Sequence, residues 1–246
     1  MESNTLIAHS NPKSPISEAY RVLRTNIQFS SVDNPLKSIV VTSSGPGEGK
    51  TTTIINLAIT FAQSGSRVLL IDADLRKPKV HKIFGFSNQQ GMVNVLAQRA
   101  DYKECVQKID IENLDIITSG PIPPNPSELL ASKSMKQFLE KIREDYDVIF
   151  IDAPPVGSVT DAAILSTVVD GTVLLAASGQ VHIDALKRSK ELLEQVKANI
   201  IGVVLNKLDK NAHGNSYYYY YYYYGENSNS KTAKKLKKMS KREVEA

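Results

Sequence analysis

Ser38-Ile39-Val40-Val41-Thr42-Ser43-Ser44-Gly45-Pro46-Gly47-Glu48-Gly49-Lys50-Thr51-Thr52 joins a short apolar, β-branched run to a glycine-rich turn. Residues 52–63 then show helical spacing, and Gly65 stands just past their end as a stop signal. Strand, glycine-rich turn and helix in this order place backbone N–H groups and a helix N-terminus around one point, which suits phosphate oxygens. The nucleotide-binding set read here is Gly45, Gly47, Glu48, Gly49, Lys50, Thr51 and Thr52. Lys50, expected as an exposed loop residue, would reach the β- and γ-phosphates, and the Thr51 hydroxyl would bind Mg²⁺. The pattern G-x-x-x-x-G-K-[ST] is met except at its first position, where Ser44 stands.

Outward from this loop the alternation repeats. Apolar runs follow at residues 67–72, 114–118, 147–151, 172–176 and 200–205, with helical patterns between several of them, most clearly at 183–197. Continuous rather than alternating apolar runs predict parallel strands buried on both faces. The expected fold is therefore α/β: a doubly wound, mainly parallel sheet with helices on both faces and ligands at the C-terminal strand ends. Three stretches organise the chain: residues 1–36 with a helix over 15–29 outside the core, a phosphate-loop domain over 37–208, and a flexible tail over 209–246. Ser14 is the expected N-cap of the first helix, with Pro15 at its first position. Pro121, Pro123, Pro124 and Pro126 stiffen a loop ahead of a further helix near Ser127.

Two strands end in carboxylates. Leu69-Leu70-Ile71-Asp72-Ala73-Asp74 leads into Arg76 and Lys77, and Val148-Ile149-Phe150-Ile151-Asp152 into a proline pair. An aspartate at the tip of a buried strand is placed for a metal or its waters, and Mg²⁺ takes one or two carboxylates beside phosphate oxygens. Asp72, Asp74 and Asp152 are expected to converge there, Asp152 and Asp72 with Thr51 as metal ligands. Asp72 or Asp74 is the candidate acceptor of a substrate proton, and Arg76 or Lys77 the candidate for neutralising charge on a transferred group. Asn206 ends the last strand, in Asn206-Lys207-Leu208-Asp209. That short match to the N-K-x-D pattern of GTPases keeps GTP beside ATP, since Asn206 could read either base.

Tyr217, Tyr218, Tyr219, Tyr220, Tyr221, Tyr222, Tyr223 and Tyr224 stand in an unbroken row between polar, small residues. No core accommodates eight consecutive rings, so the row reads as exposed, and exposed phenols can accept phosphoryl groups. Residues 231–246 carry seven Lys/Arg against two Glu, which leaves the remainder of the chain at −1 out of a total of +4. The body thus offers no electrostatic case for nucleic acid. No run approaches the roughly 18 apolar residues of a membrane span. Residues 1–12 lack the apolar centre of a signal peptide. A single cysteine, Cys105, excludes an internal disulfide, fits a reducing cytoplasm and reads as a small core residue.

Together these residues resemble the bacterial tyrosine kinases of capsule and exopolysaccharide operons, over nearly the whole chain. Residues 44–51 match that family's Walker A loop, 69–74 with Arg76 and Lys77 its second Walker A′ strand, and 148–152 its Walker B strand. Gly120-Pro121-Ile122-Pro123-Pro124-Asn125-Pro126-Ser127-Glu128-Leu129-Leu130 matches a family loop. Glu18, Arg21 and Arg24 match its E-x-x-R-x-x-R assembly motif, and the tyrosine row its C-terminal cluster, although eight in succession is more compact than the usual spacing. The resemblance implies ATP, Mg²⁺ and autophosphorylation between subunits of a homo-oligomeric ring. It also implies activation by a transmembrane adaptor, a cognate tyrosine phosphatase, and a cytoplasmic location at the inner face of the membrane through a partner. Two other classes remain: the partition and septum-positioning ATPases, which carry an extra lysine where Gly45 stands here, and a nucleotide-gated scaffold without kinase activity.

Overall fold

The computed structural model describes residues 5–31 and 34–208; the tyrosine row and the basic end, both called from sequence, lie outside the described residues. Seven strands form one sheet: β1 (Ser38–Ser43), β2 (Val68–Asp72), β3 (Val106–Lys108), β4 (Leu114–Ile117), β5 (Val148–Asp152), β6 (Gly171–Ala177) and β7 (Ile200–Asn206). Their order is β3-β4-β2-β5-β1-β6-β7. Every pair is parallel except β3 with β4. This is the doubly wound sheet that the continuous apolar runs predict. β3 was not foreseen: Val-Gln-Lys is too short and too polar to stand out, and among the described residues it pairs along one edge.

Alternate residues of each central strand feed two cores. Val40, Leu69, Ile71, Ile149 and Ile151 pack with helices Lys133–Asp145 and Ile183–Gln195 on one face. Ile39, Val41, Leu70 and Phe150 pack on the other face against helix Lys50–Ala62, whose residues from Thr53 to Ala62 are all buried. A helix apolar all round belongs inside, and this one is covered on its outer side by the N-terminal segment.

That segment corrects the expectation of a helix outside the core. Leu6, Ala8 and Ile27 join the core of helix Lys50–Ala62. Asn56 ties the two together: its Oδ1 accepts from Ala8 N at 2.9 Å and its Nδ2 donates to the Thr5 carbonyl at 2.8 Å. Helix Pro15–Phe29 starts as expected, with Ser14 Oγ accepting from Ser17 N at 3.0 Å and proline at the first position. Cys105 is free and buried, the small core residue expected. The proline loop lines a groove of about 500 Å³ together with Val93, Asn94 and Leu129.

The strand tips also differ. Burial on both faces holds for β1, β2, β5 and β6, but no residue of β7 is fully buried. Among the described residues β7 ends the sheet, and its outer side has no neighbouring strand there.

Candidate active site

The phosphate loop sits where β1 hands over to helix Lys50–Ala62. Gly47 and Gly49 have φ of 78° and 99°, a region that side chains rarely enter, and a Cβ on Gly49 would run into the Asn206 amide. The loop is tied from behind. Asn206 Nδ2 donates to the Glu48 carbonyl at 2.9 Å, and Lys207 Nζ donates to the Gly47 carbonyl at 2.7 Å. Glu48, read from sequence as a nucleotide contact, turns inward and is 3% exposed. Its carboxylate accepts from Gly45 N and, at 3.2 Å, from Ala177 N at the end of β6. Glu48 thereby braces the loop against the sheet. Thr52 is half-buried in the first turn of the helix.

Lys50 departs from the exposed residue expected: it is only 8% exposed. Burial lowers its pKa, against the opposing pull of Asp152, Asp74 and Glu48. A lysine held under the loop in this way is drawn inward by carboxylates rather than extended into solvent. At the next residue, Thr51 Oγ1 donates to Asp152 Oδ2 at 2.7 Å. Asp152 is 1% exposed, and its Oδ1 is buried with no hydrogen-bond partner among the described residues. An orphaned buried carboxylate oxygen is costly unless something completes it. A hard cation held by Thr51 and Asp152 would do so, and the donor set suits Mg²⁺. Burial raises the Asp152 pKa, with the Thr51 hydrogen bond and Lys50 opposing.

The three aspartates lie near enough for their charges to act on one another, but they do not together form a metal-holding group. Among the described residues no three His, Cys, Asp or Glu side chains come close enough to hold a metal together. Asp72 faces Asp152 across the β2–β5 pair. Its oxygens are already engaged: Oδ2 accepts from Lys79 N and Val80 N, both at 3.0 Å, and Oδ1 from Asp74 N at 3.3 Å. Asp72 therefore organises the turn after β2 and the short helix Val80–Phe84. Burial raises its pKa, with the charge of Asp152 adding to the effect. Asp74 is half-buried, uses Oδ1 for Lys77 N at 3.0 Å, and keeps Oδ2 unbonded among the described residues.

Arg76 is exposed, yet its guanidinium is turned onto a carboxylate of the body. Its Nε and Nη2 bind Asp161 Oδ2 and Oδ1 at 2.8 and 2.9 Å, and Asp161 is fully buried. A buried carboxylate needs such a partner, and the planar guanidinium supplies a bidentate one. The sequence reading missed Asp161 altogether. It also passed over Lys79, whose exposed charge acts on both Lys50 and Asp152. The only written signal was the basic run Arg76-Lys77-Pro78-Lys79.

On helix Pro15–Phe29, Arg21 pairs with Glu18 at 2.7 Å. Arg24 turns toward the body, where its Nη1 donates to the Thr60 carbonyl at 2.7 Å and its Nε is buried without a partner among the described residues. The three share a helix as the motif requires, but only Glu18 is exposed, Arg21 and Arg24 being half-buried. Tyr102 and Tyr146, the body's buried tyrosines, donate their hydroxyls to Asp145 and Asp115, and burial raises both phenol pKa values.

A parallel sheet, a glycine loop opening a helix, a lysine beneath it and a hydroxyl–carboxylate pair define a P-loop nucleotide-binding domain. Residues 36–200 match the family model described as AAA domain. Tyrosine-protein kinase YwqD of Bacillus subtilis (strain 168) is 47% identical over 214 residues, covering 86% of this chain and 90% of that protein. Tyrosine-protein kinase CpsD of Streptococcus pneumoniae serotype 4 is 42% identical over 193 residues, covering 78% of this chain and 84% of its own length. A crystal structure of the chimerical protein CapA2B2 superposes with a TM-score of 0.81 at 42% identity, over 84% of this chain and 91% of that one. The chain belongs to the AAA domain family and, within it, to the bacterial tyrosine-protein kinases.

Proposed function

We propose that this chain is an ATP- and Mg²⁺-dependent protein-tyrosine kinase that phosphorylates the C-terminal tyrosine row of a neighbouring copy and thereby regulates capsule or exopolysaccharide synthesis. The observation that carries this reading is the Thr51–Asp152 pair at the head of the loop helix, whose buried carboxylate keeps one oxygen without a partner among the described residues.

Thr51 and Asp152 would hold Mg²⁺, which when bound draws charge from the phosphate oxygens. Lys50 and the loop N–H groups orient the β- and γ-phosphates. The tyrosine oxygen attacks the γ-phosphorus in line. The bond from that phosphorus to the β–γ bridging oxygen breaks, and ADP leaves with its electron pair. The phenolic proton passes to a carboxylate; with a phenol pKa near ~10 this transfer comes late. Asp74, with an open oxygen, is better placed for it than Asp72, whose oxygens hold backbone amides. Lys79 is the cation suited to the charge on the transferred group, while Arg76 is engaged by Asp161.

The tail is favoured as acceptor because Tyr102 and Tyr146 are buried and bonded, and Tyr20 is half-buried against Thr53. A ring of copies meeting through the face of Glu18 would bring each row to the next subunit's site. No helix among the described residues is long and apolar enough to cross a membrane; placement at the membrane, in this reading, comes from a transmembrane adaptor that also activates the kinase, and a tyrosine phosphatase resets it. The partition-ATPase reading is weakened at Gly45, which offers no lysine and gives its N–H to Glu48.

Because Lys50 is buried, Lys50→Met keeps the volume and removes the charge. Alone with Mg²⁺ and ATP, this variant is expected to gain no phosphotyrosine by intact mass. Mixed with an active chain whose row is replaced by phenylalanine, it is expected to become labelled. Label on the variant alone would overturn the site; no label in the mixture would overturn transfer between subunits.

A further inference from the structure

Among the described residues, β7 presents an apolar edge without a partner strand. There it closes the sheet and pairs only with β6. The carbonyl of Asn206 points toward β6, accepting from Ser178 N at 2.8 Å. Within a strand the N–H and C=O of one residue share a side, and that side alternates from residue to residue. Val203 and Leu205 therefore turn their backbone groups away from β6. Their side chains are 53% and 55% exposed, and they belong to neither core. Edges of this kind are ordinarily blunted by charge, proline or a cover, yet β7 contains no charged residue and no proline.

The chain turns sharply at once beyond this strand. Lys207 has φ of 55°, in the left-handed region that non-glycine residues seldom occupy, and its ammonium is anchored on the Gly47 carbonyl and on Gln180 Oε1 at 2.7 and 3.0 Å. Residues 207–216 then include Asn211, Gly214, Asn215 and Ser216, residue types of reversing loops. Tyrosine is among the stronger strand formers, and the row that follows is about as long as the seven-residue β7. We propose that the unphosphorylated row folds back antiparallel onto β7 of its own chain as an added strand, with alternate rings over Val203 and Leu205. Edge pairing takes its affinity from main-chain hydrogen bonds and its fit from alternate side chains, both of which this edge offers.

Hydrogen exchange on the full-length protein, shown to be unphosphorylated by intact mass, tests the docking. The comparison is with a full-length variant carrying serine at all eight tyrosine positions. The Val203 and Leu205 amides are expected to exchange about tenfold slower or more with tyrosines present, while Val204, bonded toward β6, changes little. Equal rates in the two proteins would overturn the proposal. Protection that grows with protein concentration would assign the edge to a second copy and overturn it as well. Docking needs no phosphoryl transfer, so this result is independent of the kinase reading. A consequence does rest on that reading: a docked row is withheld from the neighbouring subunit, so Val203→Lys with Leu205→Lys is expected to speed labelling of the row severalfold. Equal labelling rates would overturn the withholding. No labelling of either protein would count against the kinase reading and leave the exchange data to judge the docking.

Discussion

β5 and β7 read alike and live differently. Val148-Ile149-Phe150-Ile151-Asp152 and Ile200-Ile201-Gly202-Val203-Val204-Leu205-Asn206 are both apolar runs closed by a polar residue, yet every residue of β5 is buried and none of β7 is. β5 lies between β2 and β1 with a core on each face; among the described residues β7 has a neighbour on one side only. An apolar run thus specifies a strand, whereas its rank in the sheet sets what that strand contributes. The polar ends follow suit. Asp152 accepts from the Thr51 hydroxyl at the start of the loop helix, while Asn206 supports the loop from behind.

Truncating equivalent side chains sharpens this contrast most. Phe150 is fully buried and meets Phe61 edge-to-face at 5.2 Å. Phe150→Ala is expected to cost about 3–5 kcal/mol in urea unfolding. Val203→Ala on the outer strand is expected to stay within about 0.5 kcal/mol. Comparable losses would break the distinction.

Asp170, which clamps the start of β1, gives a smaller effect with a definite pH dependence. Its carboxylate accepts from Lys37 N, Ser38 N and Ser38 Oγ at 3.0, 2.8 and 3.0 Å, and binds Arg143 at 2.7 Å. Burial pushes its pKa up, but the Arg143 and Ser38 bonds outweigh burial and hold it below the usual carboxylate value. A depressed folded pKa adds stability above the unfolded value of roughly 3.9, and that stability is lost as pH falls through the folded value. Asp170→Asn is expected to lose about 1–3 kcal/mol at pH 7, and its deficit should shrink in acid below about pH 4. A deficit independent of pH would remove the carboxylate's charge from the account.

Glu48 comes next. Glu48→Ala frees the Gly45 and Ala177 amides, so nucleotide affinity by calorimetry is expected to fall about tenfold, with Glu48→Gln recovering part of it. Unchanged affinity in the alanine variant would mean that the brace does not shape the loop.

The phosphate loop was legible because its glycines, Lys50 and Thr51 follow from backbone and charge requirements local to a few residues. Thr51 with Asp152 was legible for the same reason, each standing at the end of a recognisable element. What escaped depends on contacts across the chain. Asp161 lies 85 residues from the Arg76 that it holds. Glu48 sits inside the motif, yet its direction is set by an amide at the end of β6. Lys50 reads as a loop residue but is enclosed by the carboxylates around it. β7's exposure could not be read from its own composition, since sheet order is not written in any single strand.

The central claim is that a site built by Lys50, Thr51 and Asp152 serves the tyrosine row. Intact mass after incubation with Mg²⁺ and ATP, on the full-length protein and on a variant with phenylalanine at all eight row positions, tests it most directly. The account predicts several added phosphates on the first protein and essentially none on the second, with nucleotide binding unchanged between them. Phosphate retained by the phenylalanine variant, on Tyr20, Tyr102 or Tyr146, would contradict it.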